Sequence, residues 1–186
     1  MSLGTAELVE MLRRMILIRE FDRLAIALRT AGKIYGAVHP YVGEEAVAVG
    51  VCTALRVTDR VTSTHRGHGH CIAKGAEVSR MMAELFGRVD GYCKGRGGSM
   101  HIADFEIGML GANGIVGGGL PIASGAALAA QLEGRGTWPS ASSAMARPPK
   151  ASSTKRSTSA QSGTCRSSSC ARTTSGRPAT PSTSAG

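Results

Sequence analysis

Apolar residues recur at near-helical spacing from Leu8 to Leu28, and this pattern predicts a long first helix. Thr5 is the expected N-cap, because its hydroxyl can accept a hydrogen bond from a free backbone N–H group. Gly32 is the expected end, since glycine accepts left-handed dihedrals at no steric cost. The charged residues of this segment are expected to form a solvated face: Arg13, Arg14, Arg19, Glu20, Asp22 and Arg23.

The same reasoning predicts further helices over Ala46–Leu55, Val78–Phe86 and Leu120–Leu132. A short strand is predicted over Arg60–Ser63, directly before a segment rich in histidine and glycine. Alternating helical and strand patterns of this kind are typical of α/β proteins. Three apolar residues of the third helix are expected in the core: Met81, Met82 and Leu85.

The segment from Thr62 to His70 reads TSTHRGHGH and places three histidines and an arginine among glycines. Glycine lets a backbone approach a ligand closely, and Arg66 can present a planar charged fork to a phosphate. The segment is therefore predicted to bind an anion. A metal site and a solvated basic loop are the alternatives, although the histidine spacing fits common zinc patterns poorly.

Two further segments are rich in glycine. Gly87 to Gly98 is a basic loop that lacks the Lys-Ser/Thr ending of a phosphate-binding P-loop. Gly111 to Gly119 leads into the last predicted helix, as do many anion and cofactor cradles. It is also what an ordinary tight turn between strand and helix looks like, so both interpretations stay open.

The net charge of +9 suggests a nucleic-acid partner until the charges are located. From Thr137 onward there is no Asp or Glu, so most of the excess positive charge belongs to the end of the chain. With few aromatic residues to stack on bases, no nucleic-acid partner is expected. No apolar run is long enough to span a bilayer, and neither a signal peptide nor a cysteine framework is recognisable. A cytoplasmic protein without a membrane partner is expected.

Four segments, in this order, resemble one family. They are GAVH before a Glu-Glu helix start, HRGHGH, GYCKGRGGSMHIAD from Gly91 to Asp104, and GANGIVGGGLPIASGAALA from Gly111 to Ala129. Together they resemble the alpha subunit of thiamine diphosphate-dependent E1 dehydrogenases of the pyruvate and acetoin branch. The resemblance implies the α/β thiamine diphosphate-binding fold, a parallel sheet flanked by helices. Residues 1–136 are expected to be the N-terminal part of that domain.

The resemblance also implies site residues. The histidine that contacts the oxo acid corresponds to His39, and the pair that contacts the cofactor diphosphate corresponds to His65 and Arg66. His68 lies in the same segment and is a second candidate catalytic residue. From the residues alone, the favoured interpretation of His39 is a loop histidine stacked beside Pro40.

Backbone groups that hold the aminopyrimidine correspond to Gly114 and Val116, which could equally be turn formers. The resemblance implies thiamine diphosphate and Mg²⁺ as cofactors, and decarboxylation of a 2-oxo acid such as pyruvate, or cleavage of acetoin, with acyl transfer to a lipoyl arm. The implied partners are an E1 beta subunit, in an α2β2 assembly, and a lipoyl-bearing E2 acyltransferase. Because the acid that activates the aminopyrimidine comes from the beta chain, this chain alone is expected to be inactive.

After Gly136 the chain departs from the family pattern. Neither the Gly-Asp-Gly nor the Asn-Asn that binds magnesium and diphosphate in the family is present. Leu, Ile, Val and Phe are also absent, so no core strand is expected there. Residues 137–186 are therefore predicted to be a low-complexity, disordered tail, and no metal ligand is assigned in the chain as written.

A change of reading frame explains this departure. Reading each codon's third base with the first two bases of the next codon, Trp138 to Ala144 permits Ala-Val-Cys-Phe-Phe-Gly, and the following codons permit Asp-Gly. Ser167 to Thr174 permits two apolar residues and then Val-Cys-Glu-Asn-Asn. These motifs predict a one-base frameshift near Gly134–Thr137. Two function classes therefore compete: a working E1 alpha subunit, and a non-catalytic, C-terminally truncated and frameshifted fragment that at most binds a beta chain.

Overall fold

The computed structural model describes residues 3–134 and, beyond them, the backbone of two strands. Helices and strands alternate along this part of the chain, and the C-terminal strands extend the sheet formed by the first two. Their bounds are α1 Thr5–Thr30, α2 Glu45–Ala54, β1 Arg60–Thr64, α3 His68–Lys74, α4 Val78–Leu85, a 3₁₀ turn Gly98–Met100, β2 Met109–Asn113, α5 Gly119–Leu132, β3 Pro139–Ala144 and β4 Ser168–Arg172.

Helix α1 forms where the apolar periodicity predicts it. Its N-cap is Gly4 rather than Thr5, and the Glu7 carboxylate accepts a hydrogen bond from the Gly4 N–H at 2.8 Å. The predicted solvated face is wrong at one position, because the Asp22 side chain is fully buried. A buried charge of this kind requires partners, and those partners lie in the candidate site.

The four strands form one parallel sheet in the order β2-β1-β3-β4. Val61 pairs with Met109 but Thr62 pairs with Gly111, so β2 carries one extra residue at this point. Gly111 has a φ of 134°, a conformation that favours glycine. The register then continues to the pair of Thr64 with Asn113. The carboxyl ends of β1 and β2 therefore lie side by side.

Helix α5 crosses from β2 to β3 and packs against β1 and β3. Its first turn is tied to the sheet, since the Thr62 hydroxyl donates a hydrogen bond to the Gly119 carbonyl at 3.2 Å. Helices α1, α2 and α3 pack against one another and enclose a hydrophobic core. The predicted core residues Met81 and Leu85 are buried there, and Met82 packs against the core's edge.

The histidine-rich segment is not one loop, because its second half forms helix α3. The alternative of a solvated loop is wrong for His68 and His70, which are both fully buried. A Cβ atom at Gly67 would lie 2.6 Å from the Ala112 Cβ, and one at Gly69 would lie 2.4 Å from the Tyr41 ring. These glycines thus allow close packing of protein against protein.

The expectation that no strand follows Gly136 is wrong for β3 and β4. The rest of the predicted disordered tail, residues 137–186, lies outside the described residues. Within the part of the chain that the structure describes, no helix is both long enough and apolar enough to cross a membrane.

Candidate functional site

The candidate site lies at the carboxyl ends of β1 and β2. His65 and Arg66 follow β1 directly, and residues 114–118 follow β2. Because Thr64 pairs with Asn113, the two loops leave the same edge of the sheet as neighbours. In open α/β sheets, ligands bind outside the carboxyl ends of the strands where the strand order reverses. The chain runs from β1 outward to β2 and then returns past β1 to β3, so β1 lies at such a reversal.

A second loop is fixed beside the first. The Arg66 guanidinium donates a hydrogen bond to the Pro40 carbonyl oxygen at 2.6 Å, and the Arg66 N–H donates to the Thr64 hydroxyl at 3.2 Å. The His39 and His65 rings meet edge to face, with centroids 5.5 Å apart. The structure therefore brings His39, His65 and Arg66 into one cluster.

The cluster of His39, His65 and Arg66 perturbs His39. Burial lowers the pKa of His39, and the neighbouring His65, Arg66 and His68 lower it further. Its Nδ1 atom is buried and has no hydrogen-bond partner among residues 3–134. A neutral imidazole with a free nitrogen can accept a hydrogen bond from a ligand in the cluster, or donate one to it.

The loop after β2 is open on one side. The Asn113 side-chain oxygen accepts a hydrogen bond from the Ile115 N–H at 2.8 Å, which fixes the loop. Val116 is 40% exposed. A Cβ atom at Gly114 would have no neighbour closer than 3.8 Å, where the His101 ring lies. Gly114 and Val116 thus lie in the turn after β2, as one sequence interpretation predicted, and no neighbouring side chain crowds the Gly114 backbone.

His68 lies apart from the accessible cluster and is enclosed by polar partners. Its Nδ1 atom is 2.7 Å from an Asp22 carboxylate oxygen, and its Nε2 atom is 3.1 Å from the Ser99 hydroxyl. The Phe21 ring contacts the imidazole edge to face. Sequence reasoning missed Asp22 and Ser99, because neither burial nor distant contacts are visible in a single helical pattern.

Sequence reasoning also missed Glu84, near the end of α4, whose side chain is 1% exposed. One carboxylate oxygen accepts hydrogen bonds from the N–H groups of Cys93 (2.8 Å) and Gly95 (2.9 Å), and the other from Gly97 (2.7 Å) and Gly98 (3.0 Å). Successive N–H groups of this kind form a nest for an anion. The protein's own carboxylate fills the nest, so this glycine-rich loop is a structural element that carries Ser99.

The residues present fit part of the cofactor that the resemblance implies. His65 and Arg66 can contact a diphosphate, and the open turn at Gly114–Val116 can receive an aromatic ring. Among the described residues, no group of three or more His, Cys, Asp or Glu side chains is placed to hold a metal ion.

Comparison with known proteins agrees with this geometry. The family described as "Dehydrogenase E1 component" matches residues 13–142. The alpha subunit of acetoin:2,6-dichlorophenolindophenol oxidoreductase from Bacillus subtilis is 56% identical over 133 residues, covering 72% of this chain and 40% of that protein. The corresponding subunit from Cupriavidus necator is 50% identical over 136 residues, covering 73% and 41%.

A pyruvate dehydrogenase E1 component subunit alpha, from Zymomonas mobilis, is 45% identical over 124 residues, or 66% of this chain and 35% of that protein. The chain spans about two fifths of the length of the acetoin-type relatives. The matched region contains both loops of the candidate site and the strands that carry them. The chain therefore belongs to the family of dehydrogenase E1 components.

Proposed function

We propose that the chain contributes the alpha-subunit half of a thiamine diphosphate-dependent E1 active site, which acts on pyruvate, another 2-oxo acid or acetoin. The observation that carries this proposal is the juxtaposition of two loops. The residues His65 and Arg66 and the turn at Gly114–Val116 follow adjacent parallel strands at the same edge. This arrangement suits a ligand with an anionic end and a flat ring.

In this proposal each part of the cluster has a separate task. Thiamine diphosphate supplies the carbanion that attacks the substrate carbonyl when it is bound. Arg66 and His65 bind the diphosphate by charge-assisted hydrogen bonds, which are about twice as strong as neutral ones. The backbone at Gly114 and Val116 orients the ring. His39, with its free Nδ1 atom, orients the substrate by a hydrogen bond.

The proposed partners are an E1 beta subunit, which completes the site, and a lipoyl-bearing E2 acyltransferase, which receives the acyl group. Both relatives of the acetoin type are named as alpha subunits of their enzymes. Calorimetric titration of thiamine diphosphate into the frame-corrected chain, mixed with a beta subunit and magnesium, tests the proposal. Binding that Arg66→Ala weakens supports it, whereas binding that is unchanged in this variant removes Arg66 from the diphosphate site. The cytoplasmic location stays a prediction.

The alternative function is a non-catalytic, frameshifted fragment that at most binds a beta chain. It is supported by the positions of the last two strands. Strand β3 ends at Ala144, where the shifted frame permits Gly-Asp-Gly, and β4 ends at Arg172, where it permits Asn-Asn. Since all four strands are parallel, the last residues of β3 and β4 lie at the edge of the sheet that carries His65 and Arg66. Carboxylate and amide oxygens at that edge are ligands that magnesium prefers.

Two measurements separate the alternatives. Sequencing the gene across codons 130–140 shows whether one base is missing or added. The chain as written is expected to bind neither magnesium nor thiamine diphosphate measurably, and the frame-corrected chain is expected to bind both. Magnesium-dependent cofactor binding by the uncorrected chain would exclude the fragment hypothesis, as would an early stop codon in the corrected frame.

A further inference from the structure

Three side chains from distant parts of the sequence form one buried chain of hydrogen bonds. Asp22 lies on α1, His68 begins α3, and Ser99 lies in the 3₁₀ turn after the glycine-rich loop. Asp22 and His68 are 0% exposed and Ser99 is 5% exposed. The contacts are 2.7 Å from Asp22 Oδ1 to His68 Nδ1 and 3.1 Å from His68 Nε2 to Ser99 Oγ.

Both ends of this chain of hydrogen bonds hold the loop that carries His39. The Ser99 hydroxyl oxygen accepts a hydrogen bond from the His39 N–H at 2.8 Å. At the other end, the second carboxylate oxygen of Asp22 accepts one from the Tyr41 N–H. Between them, the Pro40 carbonyl accepts the bond from Arg66. Three consecutive backbone units are thus fixed by side chains.

The donors and acceptors along these hydrogen bonds indicate where their protons lie. Ser99 Oγ already accepts from the His39 amide, so its own proton is available for His68 Nε2. In the tautomer that fits these contacts, His68 Nε2 accepts that proton and Nδ1 carries the ring hydrogen. This ring hydrogen points to the Asp22 carboxylate, which also accepts from Tyr41. Every member is satisfied in this assignment, as a buried polar network requires.

The same order of Asp, His and Ser occurs in hydrolases, where serine is the nucleophile. Two features argue against that chemistry here. The Ser99 hydroxyl is buried, so no substrate reaches it. Its oxygen also accepts a hydrogen bond from the His39 amide, which ties the hydroxyl to the backbone of the neighbouring loop. These three hydrogen-bonded side chains therefore hold backbone groups in place and do not act as a nucleophile with its base.

We propose that Asp22, His68 and Ser99 are positioning residues that set the orientation of the His39 imidazole. They fix the backbone on both sides of Pro40, which leaves the His39 ring edge to face with His65 and its Nδ1 atom free. His68 acts on the site through Ser99 and does not touch the ligand. The catalytic consequence rests on the proposed function, in which His39 contacts the substrate, whereas the positioning itself does not.

The experiment uses imidazole NMR spectra of the full 186-residue chain without any cofactor. Ser99→Ala and Asp22→Asn each remove one end of the chain of hydrogen bonds. We expect both variants to shift the His39 ring signals and to lose the cross-relaxation between the His39 and His65 rings. Ser63→Ala is the matched control, because Ser63 is equally buried and its hydroxyl lies 2.9 Å from His70 Nδ1. It is expected to cost similar stability and to leave the His39–His65 signals unchanged.

Unchanged His39 signals in both variants would overturn the proposal, as would an equal change in Ser63→Ala. If the variants do not fold, the wild-type spectrum decides: the His68 ring must show a protonated Nδ1 and a bare Nε2, and the opposite tautomer overturns the proposal. A thiamine diphosphate titration of the frame-corrected chain, with magnesium and a beta subunit, tests the proposed function separately. Moved His39 signals in the variants, together with no cofactor binding by the frame-corrected chain, would refute the proposed function and keep the positioning role.

Discussion

The two halves of the histidine-rich segment contain the same residue types and have opposite environments. His65 and Arg66 are half-buried at the end of β1, beside His39 and the open turn after β2. His68 and His70, only a few residues later, are fully buried in α3. Each contacts a serine hydroxyl, Ser99 for His68 and Ser63 for His70.

The difference between the halves arises from where the helix begins. Gly67 packs against Ala112 and Gly69 packs against the Tyr41 ring, so the chain turns inward between Arg66 and His68. Histidine can serve as a ligand contact or as a buried hydrogen-bonding side chain, and burial decides which. The glycines of such a motif therefore indicate close packing as readily as a ligand.

The largest expected effect comes from the support of the buried half, at Glu84→Gln. Glutamine keeps one acceptor oxygen but turns an amide NH₂ toward two backbone N–H donors. Two charge-assisted hydrogen bonds, each worth about 1.5–3 kcal/mol, are lost, so the free energy of unfolding should fall by about 4 kcal/mol. Chemical denaturation measures this change. Glu106→Gln, on an exposed side chain, is the control and should change stability little. Equal stability of the two variants would contradict the structural role of the nest.

A smaller loss is expected for Gly69→Ala. The added methyl group would lie 2.4–2.6 Å from three atoms of the Tyr41 ring, which is fully buried and cannot move aside cheaply. Overpacking of this kind typically costs 1–3 kcal/mol, and we expect a value of about 3. Gly125→Ala in the exposed face of α5 meets no atom within 4 Å. It should stabilise the helix by about 0.5–1 kcal/mol, because glycine is a poor helix former. If Gly69→Ala were as stable as wild type, the packing account of this glycine would be wrong.

The local spacing of apolar residues predicted most of the helices, but it did not predict which polar residues are buried. The apolar periodicity of residues 5–30 is strong, so α1 was found, but the same pattern assigned Asp22 to solvent. Helix α3 was missed because its glycines and histidines are weak helix formers. Strand β2 was missed because Gly111 and Asn113 resemble a turn, and the Ser/Ala-rich sequence of β3 has no strand signal at all.

Residue types alone indicated the segment containing Arg66 as a candidate anion site, and the resemblance added His39, Gly114 and Val116. His39 and Arg66 come together through the fold, since a hydrogen bond joins Arg66 to the carbonyl of the residue after His39. No spacing in the sequence encodes that contact. Glu84 had one usable signal, an acid near a helix end followed by a run rich in N–H-exposing glycines. Burial of Asp22 and Ser99 depends on three elements meeting, which a single sequence does not reveal.

The accessible half is tested by Arg66→Ala in the frame-corrected chain. Removing a charged hydrogen bond to phosphate should weaken thiamine diphosphate binding by about 1.5–3 kcal/mol, or roughly 10- to 150-fold. The free energy of unfolding should fall less, because the lost contact to Pro40 is a single hydrogen bond from a half-buried arginine. Arg66→Lys keeps the charge without the fork and should lie between the two. Calorimetry and denaturation on the same samples compare the two losses. A larger loss of stability than of affinity would place Arg66 among the structural residues.

The smallest effect concerns the pH dependence of stability at His39. Burial, followed by the neighbouring His65, Arg66 and His68, lowers the pKa of His39 below its ordinary value of 6.5 in the folded chain. The unfolded chain then binds more protons in the window just below pH 6.5, so stability must decrease as pH falls through that window. Above pH 6.5 the group is neutral in both states and the stability is fully present.

The variant His39→Gln lacks the titrating group. Its free energy of unfolding should therefore decrease less than that of wild type between pH 7.5 and pH 5.5. The decrease attributable to His39 is small because part of its ring reaches solvent. If both proteins lost the same stability over this interval, the pKa of His39 would not be lowered by burial and by its neighbours His65, Arg66 and His68.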